Sequence, residues 1–168
     1  MHEPDLVILV NEQDHEIGTM EKYQAHVEGK LHRAFSVFIF NDKHELLLQR
    51  RASDKYHSAG LWTNTCCSHP RPNETILEAA NRRLKEEMGM ISDLTIKTHF
   101  IYKTPFDNGL TEHEYDYVLV GYSNDSPVIN KEEVDSYKWQ SIKDIKHNIV
   151  LNPNHYTSWF KLALEKVF

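Results

Sequence analysis

The pattern of apolar and polar residues predicts mainly β-strands in the first third of the chain. Leu6–Val10 is a short apolar run, and residues 16–26 favour a strand followed by one or two helical turns. Residues 34–40 are rich in aromatic and β-branched side chains, residues 46–50 continue as a second strand, and turn-forming residues lie between them. This pattern predicts a β-hairpin over residues 34–50.

The middle of the chain contains the clearest helix. Residues 60–67 favour an extended segment, and the prolines within residues 69–72 require a loop because proline fixes φ and lacks a backbone donor. Asn73 is a suitable N-cap for a helix over residues 74–88. Gly89 is placed to end that helix in a left-handed conformation.

The last third of the chain adds two strands and a helix. Residues 94–102 and 115–122 have strand character, and the turn formers at 105–109 separate them. Residues 152–168 begin with Asn-Pro and continue as an amphipathic helix. Strands punctuated by three helical segments predict an α/β or α+β fold, in a single domain that spans residues 1–168.

Composition and charge narrow the setting. The chain has no apolar run close to the roughly 20 residues that cross a bilayer, and its N-terminus lacks the features of a signal peptide, so we expect a cytoplasmic protein without membrane contact. A formal net charge of −6 argues against nucleic-acid binding, and an anionic ligand needs a local positive site. Cys66 and Cys67, the only cysteines, point to opposite faces of an extended segment, which disfavours a disulfide and fits a reducing compartment.

A carboxylate falls within the apolar face of the predicted helix. On an ideal helix, Glu87 lies in the same sector as Leu84 and Met88. One interpretation is an ion pair with Arg83, one turn earlier, at the edge of the core. The other is a site facing the helix that supplies hydrogen bonds, an opposite charge or a metal to the carboxylate.

Three acids alternate along residues 110–120. Glu112, Glu114 and Asp116 share one face of a strand because side chains alternate with a period of two. They form either a solvated sheet face or a site in which a divalent cation removes their mutual repulsion.

Three of the 11 histidines lie beside predicted turns or loops: His26, His32 and His69. With two glutamates they suit Zn²⁺ or Mn²⁺ better than Ca²⁺, because the ligand set mixes nitrogen and oxygen. Spacing alone does not bring such distant residues together, so surface or structural roles stay open at this point.

Positive side chains are concentrated in two stretches of the sequence. They are Arg50, Arg51, Lys55, Arg82 and Arg83, with Tyr56 and Trp62 as candidate walls of a pocket. Arginine binds phosphate oxygens with two donors and lysine acts as a point charge, so a diphosphate is a suitable ligand. For Arg50 a surface position is favoured instead, because neighbours on a strand face opposite ways.

Residues 68–90 resemble the Nudix box. The box consists of a glycine, five residues, a glutamate, seven residues and then Arg-Glu-U-X-Glu-Glu-X-Gly-U, where U is a bulky apolar residue and X is any residue. The positions that match are Glu74, Arg82, Leu84, Glu86, Glu87, Gly89 and Met90. Ser68 replaces the opening glycine and Arg83 replaces a glutamate. Both departures disfavour a standard Nudix hydrolase, in which box carboxylates hold cations on a diphosphate that water attacks.

The wider pattern is similar to that of the type 1 isopentenyl diphosphate isomerases, which have the Nudix fold, leave the diphosphate intact and move a proton. The likeness covers nearly the whole chain and is carried by the motifs GTMEKYQAH, LHRAFSVFIF, LLLQRRASDK, GLWTNTCCSHP, RRLKEEMG and TEHEYD. It implies a mixed β-sheet packed between helices.

Residue by residue, the resemblance implies two metal ions and a proton-transfer pair. The ligands of a Mn²⁺ or Zn²⁺ ion would be His26, His32, His69, Glu112 and Glu114. Glu87 would hold a Mg²⁺ ion that arrives with the substrate. Cys67 and Glu114 match the catalytic pair, with Tyr102 assisting, and Cys66 is a bystander. The contacts to substrate would be Lys22, Arg51, Lys55, Arg83 and Trp159.

The implied reaction converts isopentenyl diphosphate into dimethylallyl diphosphate for isoprenoid biosynthesis, through a tertiary cation. Cys67 and Glu114 are expected on opposite faces of the allylic unit, and the π faces of Trp159 and Trp62 beside the cation. The resemblance implies a small-molecule substrate, no flavin, and a monomer or homodimer. Two alternatives are kept: a Nudix hydrolase of a nucleoside or prenyl diphosphate, and a noncatalytic metal-binding domain.

Overall fold

A mixed β-sheet organises the part of the chain that the computed structural model describes, residues 5–55 and 57–168. Tyr56, a predicted pocket wall, lies outside the described residues. The strands are β1 (Leu6–Val10), β2 (Glu16–Glu21), β3 (His32–Phe40), β4 (Glu45–Arg51), β5 (Trp62–Thr63), β6 (Cys66–Ser68), β7 (Thr95–Pro105), β8 (Thr111–Tyr122) and β9 (Val134–Ser141). The helices are α1 (Lys22–Glu28), α2 (Ile76–Met88), α3 (Ile142–Leu151) and α4 (Ser158–Val167), with a 3₁₀ turn at Pro153–His155.

Strand β3 lies at the centre of the sheet. It runs parallel to β8 and antiparallel to β1, β4 and β6. Strand β7 continues the sheet beyond β8, and β9 pairs with β4. One parallel pair among antiparallel ones makes the sheet mixed, as the family resemblance implied.

The helices cover both faces of the sheet because β3 is apolar on both faces. Val37 and Ile39 pack with Ala80 and Leu84 of α2 on one face. On the other face, Phe38 and Phe40 pack with Ile145 of α3 and Phe160 of α4. A strand covered on both sides has no solvated face, which explains why residues 34–40 form an almost continuous apolar run. The polar side chains of β3, which include His32 and Ser36, are therefore exceptions that need partners.

The central helix begins two residues later than the sequence pattern predicts. Thr75, not Asn73, is the N-cap: its hydroxyl accepts from the Glu78 amide at 3.1 Å, and the Glu78 carboxylate accepts from the Thr75 amide at 3.2 Å. Asn73 instead has a φ of 70°, which an N-cap residue in the extended region does not adopt. The reciprocal capping box outweighs the intrinsic N-cap preference of asparagine. Gly89 ends the helix as expected, with a φ of 62°.

The C-terminal region differs from the single helix predicted over residues 152–168. Asn152 ends α3, a 3₁₀ turn follows, and α4 begins only at Ser158. No prediction was made for β9 or α3. Strand β9 pairs only with β4 and is largely polar, and Ile145 is the one buried residue of α3, so neither has a strong apolar period.

Gly89→Ala is expected to destabilise the protein strongly. A Cβ at Gly89 would lie 2.6 Å from the Val128 carbonyl oxygen, and the Val128 amide is held by a 2.8 Å hydrogen bond to Met88. Left-handed strain and overpacking together predict a loss of about 3 kcal/mol in the free energy of unfolding. Gly109 is the matched control, since its φ is also positive but a Cβ there meets nothing within 4 Å. Denaturant unfolding should show a clearly smaller loss for Gly109→Ala, and equal losses would contradict the packing argument.

Candidate functional site

Strand register places the predicted catalytic and metal-binding side chains on one face of the sheet. Glu114 of β8 pairs with His32 of β3 on one side and with Tyr102 of β7 on the other. Ser36, four residues along β3 from His32, pairs with Cys67 of β6. Because directly paired residues share a face and the pleat repeats every two residues, all five side chains point the same way. Residues far apart in sequence thereby meet in one site.

Two buried histidines are oriented by backbone carbonyl groups. His26 Nδ1 lies 2.7 Å from the Lys22 carbonyl oxygen, and His32 Nδ1 lies 2.9 Å from that of Lys30. A carbonyl only accepts, so each Nδ1 carries the proton and donates, and each Nε2 is left as a lone-pair donor that faces the site. Metal-binding histidines are typically held in this way.

The donor atoms fit a divalent metal. His26, His32, His69 and Glu112 each offer a ligand atom, and these atoms lie within 4.8 Å of one another. Glu114 adjoins the group, with Oε2 at 2.7 Å from His69 Nε2. Two of the buried atoms, His32 Nε2 and Glu112 Oε2, make no hydrogen bond among the described residues, although they lie 3.3 Å from Glu114 Oε2 and His57 Nε2 respectively. Buried polar atoms are rarely left in this state, and a bound cation satisfies both.

Glu114 is held as a carboxylate. Burial opposes its charge, but contacts with the His32 ring, the Glu112 carboxyl group and the Tyr102 hydroxyl outweigh burial and lower the pKa of Glu114 to about 2. The Tyr102 hydroxyl donates a hydrogen bond to Glu114 Oε1, while burial and the adjacent acids raise the pKa of Tyr102. Glu114 therefore presents an ionised oxygen, and Tyr102 remains protonated beside it.

Cys67, in contrast to Glu114, favours its protonated, neutral form. Its thiol donates to Asn64 Oδ1 at 2.9 Å, and the Trp159 indole Nε1 donates to its sulfur at 3.0 Å. Burial raises the pKa of Cys67, and the carboxyl group of Asp116 raises it further. The sulfur therefore keeps its proton near neutral pH.

Cys66 faces the other side of the sheet, as the alternation predicts. It is fully buried, and its thiol lies 2.8 Å from Glu87 Oε2. Arg83 Nη2 lies 3.5 Å from the same carboxylate oxygen. Glu87 thus forms the ion pair proposed above and also faces a cavity, so the two interpretations are compatible. Cys66 contacts a candidate ligand rather than standing apart from the site.

A cavity of about 670 Å³ is lined both by the side chains around Cys67 and Glu114 and by those around Arg83 and Glu87. The predicted residues on its wall are Lys22, Arg51, Lys55, Cys67, His69, Arg83, Glu87, Glu112, Glu114 and Trp159. Arg82 also reaches the wall, but two hydrogen bonds of 2.7 and 2.9 Å tie it to Glu74.

Arg50 and Trp62, two residues considered in the sequence analysis, lie off this cavity wall. Arg50 is exposed and pairs with Asp135 at 3.6 Å, as the alternation along β4 predicts. Trp62 is not part of the wall formed by the described residues: its ring faces Lys138 at 4.2 Å on the α4 side of the sheet. Trp62 packs on the same face of the sheet as Cys67 and Trp159, but of the two tryptophans only Trp159 lines the described cavity, so the expected place of Trp62 beside the substrate cation is not supported.

Comparison with known proteins identifies the family. A model of the NUDIX domain matches residues 30–160. Over 161 residues the chain is 51% identical to the isopentenyl-diphosphate Delta-isomerase of Pectobacterium atrosepticum, with 96% of this chain and 90% of that protein covered. Over 163 residues it is 47% identical to isopentenyl-diphosphate Delta-isomerase 2 of Aromatoleum aromaticum, with 97% and 86% covered. The chain belongs to the isopentenyl-diphosphate Delta-isomerase family.

Solved structures confirm the Nudix fold of this isomerase-family chain. A Deinococcus radiodurans protein superposes with a TM-score of 0.78 at 18% identity, covering 97% of this chain and 99% of that one. A MutT protein from Methanosarcina mazei gives a TM-score of 0.67 at 22% identity, covering 81% and 91%. At these identities the likeness concerns the fold alone. No described helix has the length and apolar content needed to cross a bilayer.

Sequence reasoning missed three side chains in this isomerase-family site. His57 Nε2 lies 3.3 Å from Glu112 Oε2, its ring stacks on Phe106, and burial lowers its pKa to about 4. Asn64 is fully buried, and its Oδ1 accepts the hydrogen bond from the Cys67 thiol. Glu133 contacts Arg83. Asn64 lies inside the GLWTNTCCSHP motif, which was a usable signal, whereas His57 and Glu133 lie in loops without a period that marks them.

Proposed function

We propose that this chain interconverts isopentenyl diphosphate and dimethylallyl diphosphate. The observation that carries the proposal is one cavity that holds a protonated thiol, Cys67, an ionised carboxylate, Glu114, and a set of cations. Moving an unactivated double bond requires a proton to be added at one carbon and another to be removed elsewhere. A group that is protonated at rest can supply the first step, and a group that is ionised at rest can supply the second.

In this proposal Cys67 gives its proton to the alkene, and Glu114 accepts a proton from the neighbouring methylene carbon. The raised pKa of Cys67 keeps a proton on sulfur, and the low pKa of Glu114 leaves an oxygen free to accept. At the end of the reaction Cys67 is a thiolate, and Glu114 carries the proton taken from carbon beside the Tyr102 hydroxyl. Glu114 then releases that proton and the Cys67 sulfur takes one up, which restores the resting state before the next turnover. The reaction is reversible, so the roles exchange in the opposite direction.

The tertiary cation formed between the two transfers must be protected from water. Trp159 is 3% exposed, lies on the cavity wall and is fixed by its hydrogen bond to Cys67. Its ring also borders His57 and the Arg51 guanidinium, which lies 5.2 Å from the ring centroid. This packing keeps a large apolar surface beside the reacting carbons and excludes water from them.

The metals proposed for the site are Mn²⁺ or Zn²⁺ at the His/Glu group and Mg²⁺ with the substrate. His26, His32, His69, Glu112 and Glu114 would hold the first, and Glu87 the second. When bound, these ions fix the carboxylates in place and neutralise diphosphate charge. The diphosphate is bound by four cationic side chains, those of Lys22, Arg51, Lys55 and Arg83. This binding places the alkene next to the Cys67 thiol.

The setting that we propose follows from this chemistry. The partner is a small diphosphate, with neither nucleic acid nor membrane involved, and the free thiols fit the reducing cytoplasm. Flavin has no part in the proposed proton transfers.

Incubation of protein loaded with Mn²⁺ or Zn²⁺ with isopentenyl diphosphate and Mg²⁺, followed by product analysis by ³¹P and ¹H NMR, tests the proposed function. We expect dimethylallyl diphosphate and no release of phosphate. Release of phosphate or a monophosphate would instead indicate a Nudix hydrolase. Metal binding without any product would indicate a noncatalytic metal-binding domain.

A further inference from the structure

We infer that Glu133 makes diphosphate binding at this site depend on a divalent cation. Its carboxylate lies between the cations that would bind the diphosphate, so it repels the metal-free anion and tolerates the metal complex. The inference rests on the proposed function in that both place the diphosphate in the same cavity. It concerns which ionic form of that group is accepted.

Glu133 is directly engaged with the cationic wall. Both of its carboxylate oxygens lie 2.8 Å from Arg83 Nη2. Lys55 Nζ lies 3.8 Å from Glu133 Oε1. The carboxylate therefore occupies the position on these two cations that an incoming phosphate oxygen would need.

Backbone hydrogen bonds hold Glu133 in place relative to Arg51 on one side and to helix α2, which carries Arg83 and Glu87, on the other. Its carbonyl oxygen accepts from the Ala52 amide at 3.1 Å, next to Arg51 at the end of β4. Its amide donates to the Asn130 carbonyl at 3.0 Å, and the Asn130 amide donates to the Glu87 carbonyl at 2.9 Å. The segment that carries Glu133 is thus tied to the last turn of α2. The carboxylate is part of the built wall of the cavity.

Local charges then decide which form of the ligand binds. Arg83 lies between two acids, with Nη2 at 2.8 Å from Glu133 Oε2 and 3.5 Å from Glu87 Oε2. With Lys55, the two cations are balanced by these two acids. A metal-free diphosphate that approaches Arg83 and Lys55 therefore meets two carboxylates there, and among the described residues predicted to bind it the uncompensated positive charge is left to Arg51. A divalent cation bound to the diphosphate removes most of that repulsion, because it neutralises two of the negative charges and the carboxylates attract the cation itself.

This role differs measurably from simple positioning of Arg83. If Glu133 only held the guanidinium in place, its removal would weaken diphosphate binding with and without Mg²⁺. If it excludes the metal-free anion, Glu133→Gln strengthens binding without Mg²⁺. The two roles predict changes of opposite sign.

The probe for this test is inorganic pyrophosphate, titrated by calorimetry into protein whose His/Glu metal is retained. We expect Glu133→Gln to bind metal-free pyrophosphate at least about tenfold more tightly than wild type. The ratio of affinities with and without Mg²⁺ should fall by a similar factor. Glu133→Ala should change in the same direction, which separates the effect of charge from any local rearrangement. Glu132→Gln is the matched control, since Glu132 is adjacent and exposed and no described hydrogen bond or ion pair involves its side chain.

Unchanged or weaker metal-free binding in both Glu133 variants would overturn the inference. An equal gain in Glu132→Gln would also overturn it, because the effect would then be one of net charge. The assay needs no turnover, so it separates this inference from the proposed function. A chain that shows the Glu133 effect but makes no dimethylallyl diphosphate would refute only the function.

Discussion

Replacing Cys67 with alanine is expected to lower kcat for isomerisation by about a thousandfold or more. The proposed reaction begins with a proton held on the Cys67 sulfur, and alanine has none to give. The KM should change little, because the cations that bind the diphosphate lie elsewhere on the cavity wall. Initial rates of dimethylallyl diphosphate formation at saturating Mg²⁺ provide the measurement. Turnover within a few-fold of wild type would show that the proposed mechanism is wrong.

Two further variants separate chemistry from structure. In Cys67→Ser, a hydroxyl can still donate to Asn64 and accept from Trp159, so the fold should be kept while activity is lost. Cys66→Ala probes the neighbouring thiol on the opposite face. Because Cys66 contacts Glu87, we expect this change to raise the Mg²⁺ concentration needed for half-maximal rate and to leave kcat at saturating Mg²⁺ within a few-fold of wild type.

Residue alternation was the most informative sequence signal for this site. The period of two along residues 110–120 correctly placed Glu112, Glu114 and Asp116 on one face, and all three are buried. The same rule separated Cys66 from Cys67 and Arg50 from Arg51. Alternation is a local property of a strand and survives whichever neighbours the strand acquires.

Convergence of the site could not be predicted from spacing, because it depends on register between distant strands. Glu114 meets His32 through a parallel pairing and Tyr102 through an antiparallel one. A slip of one residue in either pairing would turn the partner to the other face. The family motifs provided this information only by analogy, and the structure provides the physical basis for it.

Loop residues define the other limit of prediction. Glu133 becomes relevant through contacts with Arg83, fifty positions away, and His57 through a contact with Glu112. Neither contact leaves a trace in local composition. For Arg83, by contrast, the sequence did carry a signal: its departure from the Nudix box predicts a role different from that of the glutamate it replaces. In the structure its guanidinium joins Glu87 and Glu133 at the cavity wall.

Removing the divalent metal is expected to abolish activity and to destabilise the fold. Without an ion, Glu112 and Glu114 repel each other on one strand face, and His32 Nε2 and Glu112 Oε2 remain buried and make no hydrogen bond among the described residues. An ion present at a thousandfold above its Kd stabilises the folded state by about 4 kcal/mol. For a chain of this size, this corresponds to a fall in Tm of about 10 °C on removal. Dialysis against a chelator, followed by calorimetry and rate measurement, tests both effects.

Restoration and a pair of histidine variants make the metal test specific. Adding back Mn²⁺ or Zn²⁺, with Mg²⁺ present in the rate assay, should restore both Tm and turnover, whereas Mg²⁺ alone should restore neither, because the site mixes imidazole and carboxylate donors. His69→Gln should lower metal occupancy and reduce activity about a hundredfold or more, since it removes a ligand beside Glu114. His113→Gln is the matched control: His113 lies between Glu112 and Glu114 on β8, and its Nδ1 faces the Gly29 carbonyl at 3.1 Å. Full turnover and an unchanged Tm in metal-free protein would refute the metal assignment, because the buried donors would then need no ion.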